Sequence, residues 1–295
     1  MFAKFKAKCF FKRIFKRPDI NEAYKMVGPE DSWYDTITTV HNSLAEIKKL
    51  PNENWQIISH DGLALNAVYY PCEGSSKTMI WVHGYTSHAE RESAFPSLFY
   101  RNLGYNVLIP YLRAHGPSQG DYICFGEFEA RDIQKWTEKV NLLHPEGKIV
   151  IHGLSMGGGI VLDLASREIK NLKALISDAP SLSLEWILHQ YPVTVYKKDG
   201  ERVAQALHAH YKQTWGVDAL DYDRIQNIKR GKYPLLLSAG SNENMDDEFH
   251  QIKERNPAET QVVILPGCNH GNGMYKQTQM YQSAIRDFLE RYVER

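Results

Sequence analysis

Lys148-Ile-Val-Ile-His-Gly-Leu-Ser155-Met-Gly-Gly-Gly159, with the apolar run Ile160 to Ala165 behind it, is the stretch on which the fold turns. It opens with a short β-rich apolar segment, Ile149 to Ile151, and closes in a helical pattern with apolar residues at Ile160, Leu164 and Ala165. Between them lies a G-x-S-x-G, Gly153-Leu-Ser155-Met-Gly157. A serine on a sharp strand-to-helix turn adopts strained backbone geometry and projects its hydroxyl clear of the sheet. A side chain at either flanking glycine would collide with the neighbouring strand or helix. The helix that follows aims its free N–H groups and positive dipole end at the serine, which favours an oxyanion there. A bare G-x-S-x-G recurs by chance; the strand, turn and helix around this one make Ser155 a candidate nucleophile.

Working outward, strands and helices alternate. Thr78 to Val82 reads as an apolar strand ending in His83-Gly84-Tyr85, and Ser93 to Leu103 as a helix closed by Gly104. Tyr105 to Pro110 reads as a strand, followed by Arg113-Ala-His-Gly-Pro-Ser-Gln-Gly120. Glu127 to Leu143 is a long amphipathic helix stopped by Pro145, and Leu172 to Ile176 is the strand after the serine helix. From about 181 to 230 the rhythm breaks into helical patterns rich in large residues, among them Trp186, Leu188, Tyr191, Tyr211 and Trp215. It resumes with strands at Tyr233 to Ala239 and Gln261 to Leu265 and helices at Asp246 to Glu254 and Thr278 to Arg295. Upstream, Trp55 to Ile58 and Leu63 to Tyr70 flank the turn His60-Asp-Gly62 and read as an antiparallel edge. Near-continuous apolar strands alternating with helices imply a parallel sheet covered on both faces. Such sheets bind ligands beyond the carboxyl ends of their strands, where the His-Gly and G-x-S-x-G turns both fall.

The chain has 295 residues, 43% of them hydrophobic and 24% charged, and can bury a large core. No apolar run approaches the roughly 20 residues of a membrane helix. The net charge is zero, from 35 basic and 35 acidic residues, which argues against general nucleic-acid binding. That balance hides an asymmetry. Residues 1–17 carry seven Lys and Arg and no acid, leaving 28 basic against 35 acidic residues in the remainder. Phe2, Phe5, Phe10, Phe11, Ile14 and Phe15 are interleaved with those charges. The segment reads either as a solvated N-terminal arm or as a peripheral contact to an anionic membrane. It lacks the uninterrupted apolar region of a signal peptide. Cys9, Cys72, Cys124 and Cys268 form no C-x-x-C pair, which fits reduced thiols in a cytoplasmic protein and no zinc site.

From about Trp55 to Arg295 the sequence resembles the α/β-hydrolase family. The resemblance rests on His83-Gly84, on Arg113-Ala-His-Gly-Pro-Ser118, on the serine elbow and on the helical insertion. It also rests on Gly240-Ser-Asn-Glu243 and Cys268-Asn-His270. Within that family it looks like the bacterial single-domain esterases and serine-aminopeptidase-like hydrolases. Tyr111 departs from the pattern, which often has an aspartate before Arg-x-His-Gly. The resemblance implies a mostly parallel eight-stranded sheet with helices on both faces and a small helical cap over 181–230. Residues 1–50 then form a basic arm and a peripheral helix, and 51–295 the hydrolase domain.

Serine needs a base, and histidine is the side chain tuned for that at neutral pH. The family order of nucleophile, acid and histidine leaves five of the twelve histidines after Ser155. His189, His208 and His210 lie in the insertion and His250 in a helix. His270 follows an apolar strand and Pro266-Gly267, at the same sheet edge as Ser155. The resemblance expects the acid at Glu243, with Asp246, Asp247 and Asp178 as alternatives. It expects the oxyanion hole to use the backbone N–H groups of Tyr85 and Met156. His83, His115 and Arg113 are expected to hold loops.

The sequence therefore reads as a serine hydrolase that cleaves short to medium carboxylic esters through an acyl-enzyme, with no metal or organic cofactor. An amide- or peptide-cleaving enzyme, or a non-catalytic binding protein on the same fold, are the alternatives. Trp186, Leu188 and Tyr191 are expected to line the acyl pocket beneath the cap. The location expected is cytoplasmic, at the inner membrane surface if residues 1–17 bind lipid.

Overall fold

The computed structural model describes residues 2–18, 30–219 and 223–294. Strands β1 (Glu53–Ile58) and β2 (Ala64–Tyr70) form a hairpin. Its turn is closed by Ser59, whose backbone N–H donates to the Leu63 carbonyl at 2.9 Å and whose hydroxyl accepts from the Leu63 N–H at 2.8 Å. The remaining strands are β3 (Lys77–Val82), β4 (Asn106–Pro110), β5 (Lys148–Leu154), β6 (Leu172–Asp178), β7 (Leu235–Gly240) and β8 (Thr260–Leu265). They form one eight-stranded sheet in the order β1-β2-β4-β3-β5-β6-β7-β8. β2 runs antiparallel to β1 and β4, and the other pairs are parallel. This is the α/β-hydrolase fold.

The central strands are apolar along their length because both faces are covered. Ile149 and Ile151 of β5 enter one core and Val150 the other, as the two-residue period of a strand requires. On one side lie α4 (Glu127–Leu143), α5 (Met156–Leu164) and α9 (Asp246–Arg255). On the other lie α2 (Ile37–Ile47), α3 (Ala89–Asn102) and α11 (Thr278–Leu289). A short α10 (Gly273–Lys276) precedes α11, and α11 ends in a wider turn over Glu290–Glu294. The insertion after β6 is helical, with α6 (Tyr191–Tyr196), α7 (Gly200–Trp215) and α8 (Arg224–Asn227).

The N-terminal segment differs from the arm expected from its charge. Phe2–Phe15 is a helix, α1, docked on α7 of the insertion. Its Phe10, Phe11 and Phe15 share one face and are buried. The Phe11 ring sits 4.5 Å from His210 and 5.0 Å from Trp215, and Phe15 sits 5.5 Å from Phe125 and 5.7 Å from Tyr211. The aromatic residues that suggested a lipid contact therefore divide in two. The C-terminal ones serve as core, whereas Phe2 is 73% and Phe5 66% exposed. Backbone bonds fasten the end of the helix: the Ile123 N–H donates to the Phe15 carbonyl at 2.6 Å and the Arg17 N–H to the Asp121 carbonyl at 2.7 Å. The Arg17 guanidinium donates to the carbonyls of Gly116, Ser118 and Gly120 in the loop after β4. Part of the stretch expected to hold the peripheral helix, residues 19–29, lies outside the described residues.

Truncating a buried phenylalanine loses its transfer free energy and leaves a cavity, at a cost of about 3–5 kcal/mol. Phe15→Ala should lower the urea midpoint accordingly, whereas Phe5→Ala should leave it nearly unchanged. Equal midpoints for the two variants would show that α1 does not dock as described.

Candidate active site

The nucleophile candidate owes its position to contacts too close for any side chain. Ser155 has φ 59° and ψ −114°, a left-handed backbone that costs a non-glycine residue on the order of 1–3 kcal/mol. Its N–H donates to the Asp178 carbonyl at 2.9 Å, and its carbonyl accepts from Ser181 and Gly159 at 3.0 Å. A Cβ on Gly157 would lie 1.9 Å from the Val82 carbonyl oxygen, and one on Gly153 would lie 2.3 Å from the Gly157 oxygen. The glycine run extends further for a second reason. A Cβ on Gly159 would meet the Arg224 guanidinium at 2.9 Å. Arg224 is buried and forms a two-pronged ion pair with Asp163 of α5, at 2.9 and 2.6 Å. It also donates to the carbonyls of Ser181 and Phe125, so the end of the insertion is riveted to the nucleophile's own helix.

His270 and Glu243 reach Ser155 from the ends of β8 and β7. His270 Nε2 lies 2.8 Å from Ser155 Oγ, and His270 Nδ1 lies 2.5 Å from Glu243 Oε2. Glu243 closes the tight turn Ser241–Glu243, and its other oxygen accepts from the Gly240 N–H at 2.9 Å. Both carboxylate oxygens are thus fixed, and the one facing the imidazole holds the tautomer with the proton on Nδ1. The hydrogen bond to Glu243 raises the His270 pKa above 6.5, against the opposing effect of burial.

The alternative acids are committed elsewhere. Asp246 and Asp247 are exposed in the first turn of α9, where acids complement the helix dipole. Asp178 is buried at the end of β6, and burial pushes its pKa up to about 6. It accepts from Tyr281 Oη at 2.9 Å, and that hydroxyl also contacts buried His152 at 3.0 Å.

Met156 opens α5, where a backbone N–H has no acceptor within its own helix. Tyr85 follows Gly84 on the loop after β3. Its hydroxyl donates to the Ile14 carbonyl at 2.6 Å, which ties α1 to this loop. The loop histidines are structural. The His83 Nε2 accepts from the Leu112 N–H at 3.1 Å, so its Nδ1 donates to the Gly84 carbonyl at 2.8 Å. Burial lowers its pKa well below 6.5 and keeps the ring neutral. His115 packs edge-on against it, and Arg113 bridges Asp61 and Asp132.

Sequence reasoning missed Glu92. It is a half-buried carboxyl on α3, and it accepts from Trp81 Nε1 at 2.9 Å and from the Gly84 N–H at 3.0 Å. Burial raises its pKa to about 7. It holds the loop that carries Tyr85, yet the polar run around it in the sequence gives no sign of that role.

A cavity of about 350 Å³ opens beside Ser155 and His270. The expectation that Trp186, Leu188 and Tyr191 line it is corrected by the structure. Trp186 is 57% exposed and stacks on Tyr191 at 5.0 Å, and Tyr191 packs against Phe10 of α1. Leu188 is buried in the insertion and faces a separate cavity with Leu184 and His208. These residues find apolar partners in α1 and in one another, and the insertion packs on α1 and α5. The wall of the site comes instead from Trp33, Ile37 and Val40 of the segment before the sheet.

A family profile described as serine aminopeptidase, S33, matches residues 74–230, a little over half of the chain. This chain belongs to the serine aminopeptidase S33 family of α/β hydrolases, and it is a hydrolase by that membership. It is 22% identical over 258 residues to the uncharacterized protein YqkD of Bacillus subtilis, covering 85% of this chain and 83% of YqkD. It is 29% identical over 148 residues to the α/β hydrolase domain-containing protein aho-3 of Caenorhabditis elegans, covering 50% of this chain and 37% of aho-3. Among solved structures, the Pyrococcus furiosus esterase Pf2001 superposes with a TM-score of 0.67 at 22% identity. That match covers 94% of this chain and 98% of the esterase, and it shows the shared α/β-hydrolase fold.

The imidazole accepts a proton only when neutral, so turnover should fall on acidification with a midpoint above 6.5. Glu243→Gln removes the charge that raises the His270 pKa, and the midpoint should move down. A pH–rate profile of both forms tests this, and an unmoved midpoint would separate Glu243 from His270.

Proposed function

We propose that this S33 family member is a serine hydrolase that cleaves short to medium carboxylic esters through an acyl-enzyme. The observation that carries the reading is the hydrogen-bonded run Ser155–His270–Glu243 at the mouth of a cavity that Trp33, Ile37, Val40 and Leu154 line together with His88, Arg91 and Glu92. Ser155 Oγ attacks the ester carbonyl while His270 Nε2 takes its proton. Glu243 orients the ring and stabilises the imidazolium. The N–H groups of Tyr85 and Met156 face the developing oxyanion. His270 returns the proton to the departing alcohol, and the cycle repeats with water to free the acid.

The family description favours one second reading, an amide-cleaving enzyme using the same residues. Turnover of a p-nitroanilide at a rate equal to or above that of the matching p-nitrophenyl ester would support it over the ester reading.

The proposal extends to a peripheral membrane contact. Phe2 and Phe5 project from α1 beside exposed Lys4, Lys8, Lys12, Arg13 and Lys16, a combination suited to an anionic bilayer. No helix of the described residues is long and apolar enough to cross a membrane. The full chain should co-sediment with phosphatidylserine vesicles at low salt, and a Phe2→Ser, Phe5→Ser double variant should not. Equal binding by both forms would overturn the contact.

Ser155→Ala should abolish ester turnover. Glu243→Gln should lower turnover by about 10⁴-fold, as loss of a triad acid does, whereas Asp178→Asn should retain most of it. Collapse in the Asp178→Asn enzyme with activity intact in the Glu243→Gln enzyme would reassign the acid.

A further inference from the structure

The cap is the obvious place to look for substrate selection, yet among the described residues it contributes nothing to the cavity beside Ser155. The opposite wall is built by a segment that precedes the sheet. A tight turn at Tyr34–Thr36 leads into α2. Asp31 starts the turn by accepting from the Trp33 N–H at 2.9 Å, and the Thr36 hydroxyl closes it on the Trp33 carbonyl at 2.6 Å. Trp33, Ile37 and Val40 then face the cavity.

This wall is fastened to the catalytic histidine's loop. The Asn272 side chain is fully buried, donates to the Ser32 carbonyl at 3.0 Å and accepts from the Asn269 N–H at 2.9 Å. The Trp33 ring packs edge-on against Tyr275 at 5.6 Å. Beside His270 the chain has Gly271 at φ 70°, where an added Cβ would lie 3.1 Å from the Trp33 ring and 3.3 Å from Leu154. The tryptophan is thus seated directly beside the reacting groups.

The direction of the substrate follows from the histidine. The His270 side chain is 58% exposed, and the departing alcohol must face its Nε2 to receive a proton. His270 also edges the cavity, so the arrangement taken here sets the leaving group on the open side of the ring and the acyl group in the cavity. We propose that the wall formed by Trp33, Ile37 and Val40, not the cap, sets the acyl length this enzyme accepts. The inference rests on the serine-hydrolase reading above.

Alkyl fluorophosphonates from ethyl to dodecyl test it, because they report an activated serine without requiring the natural substrate. The readout is the ratio of labelling rates for long and short chains. Space for one methylene in a specificity pocket is worth about tenfold or more. Trp33→Ala should raise the long-to-short ratio by at least about tenfold, and Ile37→Trp should lower it by a similar factor. Trp186→Ala should leave the ratio unchanged. The opposite signs guard against a variant that merely folds poorly, since general damage slows all chain lengths together. Unchanged ratios in both wall variants, with wild type labelled, would overturn the inference alone. A shift produced by Trp186→Ala would return selection to the cap. Absence of labelling at every chain length in the wild type would overturn the serine reading, and the wall's role with it.

Discussion

The approach of Gly157 to the end of β3 is the constraint from which the rest follows. With the Val82 oxygen 1.9 Å from where a Cβ would stand, α5 begins closer to the sheet than any other residue allows. That closeness forces Ser155 into left-handed backbone, and three backbone bonds to Asp178, Ser181 and Gly159 hold it there. Strain of this kind persists only where the surroundings over-determine it. The surroundings here include a buried Arg224–Asp163 pair, which would cost about 3–5 kcal/mol to break by removing one partner. The ion pair ties the insertion to α5, so the cap's place and the elbow's geometry depend on each other.

The N-terminal fifty residues take part in the site from two sides. α1 reaches the Tyr85 loop through the Ile14 carbonyl, and the segment Trp33–Val40 closes the cavity beside His270. Glu92 holds the same Tyr85 loop from beneath. Two flanking segments and one half-buried carboxyl thus fix the backbone that would meet an oxyanion. Preorganised donors of this kind cost no reorganisation at the moment of reaction.

The sheet and the elbow were legible because their signals are local. Apolar strands between helices have no other stable arrangement than a covered parallel sheet, and the glycines flanking Ser155 mark a backbone clash whatever lies around them. His270 and Glu243 were expected from the family resemblance, with three aspartates as alternatives to Glu243, and the structure brings the two side chains together at 2.5 Å. The docking of α1 was not legible, because Phe11 and Phe15 find their partners about 200 residues away and an amphipathic segment looks alike whether it faces a core or a lipid. The role of Trp186 and Tyr191 failed for a related reason. Large aromatic residues announce that they will pack, and nothing in the local sequence says against what. Trp33 and Glu92 carried no signal at all, since each acquires its role through tertiary contacts, Trp33 with Tyr275 and Gly271 and Glu92 with Trp81 and Gly84.

The central claim is that Ser155 is a nucleophile activated by His270. Intact-mass analysis and peptide mapping after fluorophosphonate treatment test it most directly. One adduct should form on the peptide carrying Ser155, and its formation should slow by orders of magnitude in a His270→Ala variant that retains the wild-type circular dichroism. An adduct on another residue, or a labelling rate indifferent to His270, would contradict the account.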